Sequence, residues 1–272
     1  MKEIPAYFRE SWDTFSSPGY PKLVERYSKL FGMALECSKP PFVFAGNLDA
    51  SPAGRILTFA LAPHASNEQA HPNMEAEFQW RLRYFDQEKM PHRLHSFYAK
   101  ILQGVLNCNL PFGQSESRWL DALGYLTFDL VPFYAKKWVS PTWRKQEVTA
   151  VVQRHFCECL KLVADKRVSL ALFSGKAWED LLLGSRGHPQ FGDFRNHTSF
   201  QLCEVTGNRH HVSRVSVGEL HFSGESIPSV VIGALIHRVY GFSYADAVAV
   251  GERIRTFSST QTSEPYFKQA AL

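Results

Sequence analysis

Three short stretches of the chain could carry chemistry, because each places polar side chains directly after an apolar, strand-like segment. In chain order they are Ala62–Asn67, Thr127–Tyr134 and Val230–Ser243. In open α/β sheets, ligands bind at the carboxyl ends of the strands. We therefore expect the three stretches to form one site. The alternative is that each strand stops at proline and polar residues simply because the chain must turn.

Asp129, in the second stretch, lies between Phe128 and Leu130 inside an apolar strand. A carboxylate is costly to bury there unless it is paired or takes part in chemistry. Two interpretations stay open at this point. The carboxylate is either a structural partner for an arginine or for backbone amides, or it is a functional group.

The third stretch combines a histidine that can accept a proton, a cation and two aromatic rings, namely His237, Arg238, Tyr240 and Phe242. A histidine that follows a strand is commonly just a solvated loop residue. Extrusion of a base from DNA would use this mixture, because a wedge side chain enters the duplex while cations hold the phosphates.

The composition excludes several classes of protein. Apolar residues make up 44% and charged residues 21% of the 272 residues, as in ordinary globular proteins. The net charge of +4 permits an anionic partner such as nucleic acid without requiring one. The five cysteines form no CxxC pair, which argues for reduced thiols. With no secretory signal pattern and no apolar run of membrane-spanning length, we expect a cytoplasmic protein without membrane contact.

The spacing of the apolar residues predicts the elements that would position these side chains. Strands are predicted at Phe42–Ala45, Arg55–Ala62, Leu123–Val131, Val168–Phe173, Phe200–Val205, His211–Val217 and Ser229–Ile232. Helices are predicted at Tyr20–Cys37, Met74–Phe85, His92–Leu106, Trp143–Ala164, Lys176–Leu183 and Tyr244–Phe257. Strand, helix and strand with crossovers of this length form the βαβ pattern. The expected fold class is α/β, a three-layer α/β/α arrangement with a central, mainly parallel sheet.

Two stretches are predicted to lack regular structure. Gly184–Ser199 is polar and predicted to be a surface loop, and Gly233–Ser243 is predicted to be a turn. Ser243, followed three residues later by Asp246, is a capping signal for the last helix.

A single domain is the simplest partition of residues 1–272, since the chain shows no internal repeat, low-complexity tract or clear linker. This domain would consist of an N-terminal helix at residues 20–37, a core at residues 42–257 and a frayed tail at residues 258–272.

Common signatures of enzymes are absent from the chain. The sequence contains no GxGxxG, GxxxxGK[ST], GxSxG or HExxH motif. His210 and His211 are adjacent, but no third ligand with suitable spacing lies near them. We therefore expect a reaction that uses neither a metal ion nor a cofactor.

The order of the elements and the three stretches resemble the uracil-DNA glycosylase superfamily, a parallel α/β/α fold with catalysis at the carboxyl ends of the strands. The resemblance covers most of Phe42–Phe257. In that family the first strand ends in Gly, any residue, Asp or Asn, and then Pro. The corresponding residues here are Leu61, Ala62 and Pro63. The family's water-orienting residue thus falls on Ala62, and His64 would occupy the place of the residue that stacks on the flipped base.

The remaining motifs resemble the family in part. FDLVPF resembles the second motif, in which an Asn at the end of a strand reads the base edge, and Asp129 takes the place of that Asn. LALFSGKAW resembles the family's strand and turn before a helix. In the third motif only VYGF matches well, and Ile232 falls where the family has a histidine, so His237 is the candidate replacement.

The resemblance implies a DNA glycosylase that flips a base out of DNA and hydrolyses its N-glycosidic bond, with DNA as the partner. The implied catalytic residues are Asp129, His237 and His64. The implied base-binding residues are Ala62, Pro63, His64, Phe128, Asp129 and Phe133. The implied DNA-binding residues are Arg238, Tyr240 and Phe242.

The carboxylate of Asp129 suggests which base would be excised. An amide can donate to O4 of uracil and accept from its N3–H, whereas an ionised carboxylate only accepts. Cytosine offers an amino donor at N4, with which carboxylates pair. We therefore expect a cytosine-type or modified base rather than uracil, and such an activity could serve bacteria in antiviral defence against modified viral DNA.

Two other interpretations remain open at this point. The first is a catalytically inert member of the same fold that binds nucleic acid or a protein, since the expected polar residue at Ala62 and the expected histidine at Ile232 are both missing. The second is an unrelated α/β hydrolase of a small nucleoside-like substrate.

Overall fold

Helices and strands alternate along most of the chain. The computed structural model describes residues 3–48, 55–63, 71–90, 92–110, 113–139, 141, 145–164, 168–183, 191–206, 209–222, 231–237 and 242–261. Within these ranges the helices are α1 (Ala6–Ser16), α2 (Tyr20–Phe31), α3 (Met74–Leu82), α4 (Arg93–Leu106), α5 (Glu116–Ala122), α6 (Gln146–Lys161), α7 (Lys176–Leu182) and α8 (Tyr244–Gln261). The strands are β1 (Ala45–Gly46), β2 (Arg55–Ala60), β3 (Tyr125–Asp129), β4 (Val168–Ser174), β5 (Gly192–Thr206), β6 (Arg209–Phe222) and β7 (Val231–Ile236).

The seven strands form one mixed sheet in the order β1-β3-β2-β4-β7-β6-β5. The four neighbours β3, β2, β4 and β7 are mutually parallel. Strand β1 pairs antiparallel with β3, while β6 pairs antiparallel with both β5 and β7. The prediction of an α/β fold with parallel strands at the centre of the sheet is therefore confirmed.

Alternate residues of the central strands belong to two separate hydrophobic clusters. In β2, Leu57 and Phe59 pack with residues of α1, α2, α3, α6 and α7. Ile56, which directly precedes Leu57, packs with residues of α4, α5 and α8. Because successive side chains of a strand point to opposite faces, both faces of the parallel centre are covered by apolar side chains.

The β5–β6 hairpin is longer than the strand it joins. Strands β5 and β6 pair over their full length, from Gly192–Phe222 to Thr206–Arg209. Pairing of β6 with β7 stops where Val215 meets Ile236, the last residue of β7. The preceding six residues of β6 run on past the carboxyl end of β7 for about 20 Å, at about 3.3 Å per residue.

The predicted surface loop at Gly184–Ser199 is wrong from Gly192 onward, where the chain forms β5. A bulge between Arg195 and Thr198 interrupts the alternation of polar and apolar residues. Within the bulge, Asn196 adopts a left-handed φ of 49°. The irregular backbone hides the period of two by which a strand is recognised in a sequence.

The predicted turn at Gly233–Ser243 is also wrong in its first part, because β7 continues to Ile236. Gly233 lies inside the strand, and a Cβ atom there would come within 2.9 Å of the Phe194 ring. The glycine is explained by the close approach of an aromatic ring and not by a turn.

Several element ends differ from the predicted ones. Helix α2 ends at Phe31 and not at Cys37, because Gly32 takes a left-handed φ of 67° and its N–H bonds back to the carbonyl of Ser28. Of the strand predicted at Phe42–Ala45, only Ala45 belongs to a strand, the two-residue β1. The short helices α1 and α5 are not predicted by the sequence pattern.

The capping signal before α8 is confirmed. The Ser243 N–H and hydroxyl donate to Asp246 Oδ2 at 2.9 and 2.7 Å, and the Asp246 N–H donates to Ser243 Oγ at 3.2 Å. These reciprocal bonds satisfy backbone donors at the helix start. None of the helices within the described ranges combines the length and the apolar character that crossing a lipid bilayer requires.

Helices α4 and α8 cross at two glycines. A Cβ atom on Gly104 would overlap the carbonyl oxygen of Val248, and one on Gly251 would overlap that of Ile101. Both glycines are buried. The two backbones therefore approach more closely than any other residue would allow.

Candidate functional site

The strand order brings the ends of the three predicted stretches to the same edge of the sheet. The register places Asp129 beside Ala60 and Ser174 beside Ile236 in one row across the four parallel strands. At about 4.8 Å per strand, β3 and β7 are about 14 Å apart. Asp129 and His237 therefore lie on the same edge but too far apart to share a hydrogen bond. The reversal of strand order at β2 is the kind of position where open α/β sheets bind ligands.

The first two stretches run side by side beyond their strands. The Val131 N–H donates to the carbonyl of Leu61 at 3.0 Å, and the Ala135 N–H donates to that of Pro63 at 3.0 Å. Parallel pairing thus continues past β2 and β3. The prediction that Ala62–Asn67 and Thr127–Tyr134 lie together is met as far as Pro63. Residues 64–70 lie outside the described residues.

The turn after β4 lies between the ends of β2 and β7. The Gly175 N–H donates to the carbonyl of Ile236 at 2.9 Å. Gly175 has a φ of 110°, and a Cβ atom there would come within 2.6 Å of the Leu61 side chain. From the following helix, the Trp178 indole N–H donates to the carbonyl of Ala60 at 2.8 Å. These contacts hold the ends of β2, β4 and β7 at fixed relative positions.

Asp129 is buried, with 8% of its surface exposed, at the last position of β3. Burial raises the pKa of its carboxyl group to about 7, and the charge of Arg81 opposes that rise. Near neutral pH both the acid and the carboxylate are accordingly populated. The acid can donate a hydrogen bond, whereas the carboxylate can only accept one.

Arg81 is the centre of a buried cluster beside Asp129. Its guanidinium forms a salt bridge with Glu77 at 2.7 Å and donates to the Tyr134 hydroxyl at 2.6 Å. The guanidinium also lies over the ring of Phe42, 4.6 Å from its centroid. The salt-bridge partner of Arg81 is therefore Glu77, and Arg81 acts on Asp129 through its charge.

His155 of α6 holds the backbone at Asp129. Its Nε2 lies 3.0 Å from the Asp129 carbonyl oxygen and its Nδ1 lies 2.8 Å from the Tyr7 hydroxyl. Burial lowers the pKa of His155 to about 4, so the ring is neutral. Since a carbonyl only accepts, Nε2 carries the proton and Nδ1 accepts from Tyr7. In the sequence, His155 falls on the apolar face of α6, and this position is the signal that predicts its burial.

Replacing Tyr7 by Phe is expected to destabilise the fold by about 1–3 kcal/mol, because it removes the hydroxyl that donates to the buried Nδ1 of His155 at 2.8 Å. Urea unfolding followed by circular dichroism measures the change. The control is Tyr244→Phe, since Tyr244 is 45% exposed. Equal unfolding midpoints for the two variants would contradict the role given to the Tyr7 hydroxyl.

A second charged cluster lies at the carboxyl end of β7. His237 directly follows the strand, and its Nδ1 is 3.5 Å from Glu179 Oε2. Glu179, on α7, also forms a salt bridge with Arg214 of β6. The His237 N–H donates to the Arg214 carbonyl at 3.0 Å. The site thus contains a buried carboxylate that contacts a histidine and an arginine.

Sequence reasoning did not identify Glu179 or Arg214. Glu179 follows Trp178 in an apolar helix and is buried, which is a weak signal for a paired carboxylate. Arg214 lies in the strand predicted at His211–Val217, and nothing in the sequence pattern indicates its contact with Glu179 of α7.

The position assigned to the family's histidine falls inside a strand. Ile232 is buried at the second position of β7 and pairs with Leu170. Because β7 extends four residues further, His237 is the first residue beyond its end. The role of His237 as the candidate replacement remains a prediction.

Three of the predicted aromatic residues pack against other side chains. Phe128 stacks on Phe59 with ring centroids 5.4 Å apart, and the ring of Phe133 lies 5.0 Å from that of Tyr27. Phe242 is buried in the cluster around α4 and α8. Stacking of these rings on a base would therefore require them to leave their present contacts.

The remaining predicted residues divide into two groups. Ala62 is half-buried and Pro63 is buried at the end of β2. His64, Arg238 and Tyr240 lie outside the described residues, so their roles remain predictions.

No protein-family model matches the chain, and no curated protein matches its sequence. Among the described residues, no group of three or more histidine, cysteine, aspartate and glutamate side chains could hold a metal ion. The geometry of the two charged clusters is thus the basis for a functional argument.

Proposed function

We propose that the protein is a DNA glycosylase that resembles the uracil-DNA glycosylase superfamily, flips a base out of DNA and hydrolyses its N-glycosidic bond. The observation that carries the proposal is Asp129, a buried acid with a pKa of about 7 at the carboxyl end of a parallel strand. Buried groups with strongly shifted pKa values concentrate at functional sites.

The proposal includes the three-layer α/β/α arrangement. The division of alternate β2 residues between two hydrophobic clusters supports it, because each cluster contains residues from its own set of helices. A parallel sheet covered on both faces leaves its carboxyl edge as the place for a ligand.

The proposed reaction is hydrolysis at C1′ of the deoxyribose. A water oxygen bonds to C1′, the bond from C1′ to the base nitrogen breaks, and its electron pair leaves with the base, which takes up a proton. Ala62 offers no polar group to orient that water. In this scheme Asp129, His64 or His237 positions the water or stabilises the positive charge on the sugar.

The proposed substrate is a cytosine-type base. The ionised form of Asp129 accepts a hydrogen bond from the N4 amino group. The small side chain of Ala62, at the neighbouring strand end, leaves room for a substituent on the base. A defence role against viral DNA with modified cytosines follows from this substrate and depends on it.

An alkali-cleavage assay tests the proposal. The full chain is incubated with labelled oligonucleotides that carry one uracil, cytosine or 5-substituted cytosine, as single strands and as duplexes. Hot alkali then breaks the strand wherever a base has been removed. Breaks at cytosine-type positions, absent without protein, are expected, whereas intact strands for every substrate would contradict glycosylase activity.

A second candidate function is an inert member of the fold that binds DNA without cleaving it. The apolar residue Ala62 at the expected water-orienting position favours this candidate. Gel-shift binding to the same oligonucleotides without alkali-labile product would support it. Release of base from free nucleosides alone would instead indicate a hydrolase of small nucleoside-like substrates.

A further inference from the structure

Glu179 is a buried carboxylate that has no role in the reaction proposed above. It lies on α7, and its side chain is 9% exposed, compared with 37% for His237 and 52% for Arg214. Burying an ionised carboxylate is unfavourable unless cations or hydrogen-bond donors face it. Here one oxygen faces the arginine and the other faces the histidine.

The sheet register explains why these three residues meet. Val215 of β6 pairs with Ile236 of β7, so Arg214 and His237 are the next residues of two antiparallel strands. The His237 N–H donates to the Arg214 carbonyl directly beyond the last β6–β7 pair. The turn at Gly175 bonds to Ile236 and brings α7 to the same end of β7.

We propose that Glu179 is the positioning residue for His237. Its carboxylate holds the imidazole with the proton on Nδ1, which makes Nε2 the acceptor nitrogen. Arg214 shares the same carboxylate and thereby sets how strongly Glu179 acts on the imidazole. The consequence for catalysis rests on the proposed function, whereas the pairing itself does not.

The shared carboxylate predicts changes of opposite sign in two variants. Glu179→Gln removes the negative charge that favours the imidazolium, so the titration midpoint of His237 should fall. Arg214→Gln removes the cation that competes for Glu179, so the midpoint should rise. Glu179 from α7 and Arg214 from β6 are charged groups that face this histidine or its partner.

Imidazole ¹⁵N NMR on the labelled full chain measures these effects, with His237→Gln used to assign the signals. In the unaltered protein we expect the Nδ1–H tautomer of His237 to dominate. The titration midpoint of His237 should fall by about half a pH unit or more in Glu179→Gln and rise in Arg214→Gln. Shifts in the same direction, or no shift in either variant, would overturn the proposal.

Kinetics on a cleavable oligonucleotide test the catalytic consequence. In Glu179→Gln, kcat should fall about tenfold while KM stays unchanged, because an orienting partner is lost without loss of a DNA contact. Glu252→Gln, at an exposed position of α8, is the matched control. Unchanged kcat despite the expected NMR shifts would overturn the positioning role in catalysis. An inactive unaltered protein would refute the glycosylase proposal instead, and the NMR result would still decide the pairing.

Discussion

Replacing Asp129 by Asn is expected to shift the base preference from cytosine-type bases toward uracil by about 10- to 100-fold, since one well-formed pair with a base edge contributes about 1–3 kcal/mol of discrimination. The Asn amide donates to O4 of uracil and accepts from N3–H, whereas the carboxylate accepts from N4 of cytosine. The measurement is the ratio of kcat/KM for oligonucleotides that differ only in the target base.

The control for this variant is Asp86→Asn, which makes the same chemical change at an exposed position. Asp86 is 58% exposed and faces Arg118 at 3.8 Å. Its ratio of kcat/KM values should equal that of the unaltered protein. A ratio for Asp129→Asn that also stays unchanged would exclude Asp129 as the group that reads the base.

The same variant tests the titration of Asp129 without any substrate. The folded-state pKa of about 7 exceeds the ordinary aspartate pKa of 3.8, so the stability linked to the bound proton is fully present below pH 3.8 and lost as the pH rises through 7. Relative to Asp129→Asn, the unaltered protein should lose roughly 3–4 kcal/mol of unfolding free energy between pH 4 and pH 8. The buried His95 and His155 are common to both proteins, so their titrations cancel in the difference.

Replacing Gly251 by Ala is expected to destabilise the fold by about 3 kcal/mol, at the upper end of overpacking effects. Alanine has the higher helix propensity by about 1 kcal/mol, which alone would stabilise α8. The added Cβ would, however, overlap the Ile101 carbonyl, and the backbone of α4 can relieve that overlap only by moving away. Thermal and urea unfolding measure the net change.

Gly19→Ala is the matched control for the helix crossing. Gly19 has a φ of −82°, and the nearest atom to an added Cβ is Ser17 Oγ at 3.9 Å. This variant should unfold within about 0.5 kcal/mol of the unaltered protein, as is usual for surface substitutions. If Gly251→Ala unfolded at the same urea concentration as Gly19→Ala, the close approach of α4 and α8 would be refuted.

Helix α4 is among the elements most accurately predicted from the sequence. The helix predicted at His92–Leu106 is observed at Arg93–Leu106 with His92 as its cap. Its apolar residues recur at the helical spacing over four turns. An error of one residue at the predicted start therefore leaves the identification of the helix unchanged. The seven-residue helix α5, in contrast, was not predicted from the sequence.

Of the candidate site, only the residues at the strand ends could be predicted from the sequence. A change from apolar to polar residues marks Asp129 and His237 in the sequence itself. The partners Glu179 and His155 belong to helices whose packing is decided by the whole sheet, and no local pattern states which strand end they will face. Contacts of this kind depend on strand order, which the sequence pattern left open.

The protruding β5–β6 hairpin makes the two flanks of the carboxyl edge unlike each other. On one flank, six residues of β6 rise about 20 Å beyond the end of β7. On the other flank, the sheet ends in the two-residue strand β1. A linear polymer bound across this edge would contact the long β5–β6 hairpin at one end and the short strand β1 at the other. Its two chemical directions are therefore inequivalent to the protein, and a strand bound in reverse polarity would present different atoms to the hairpin.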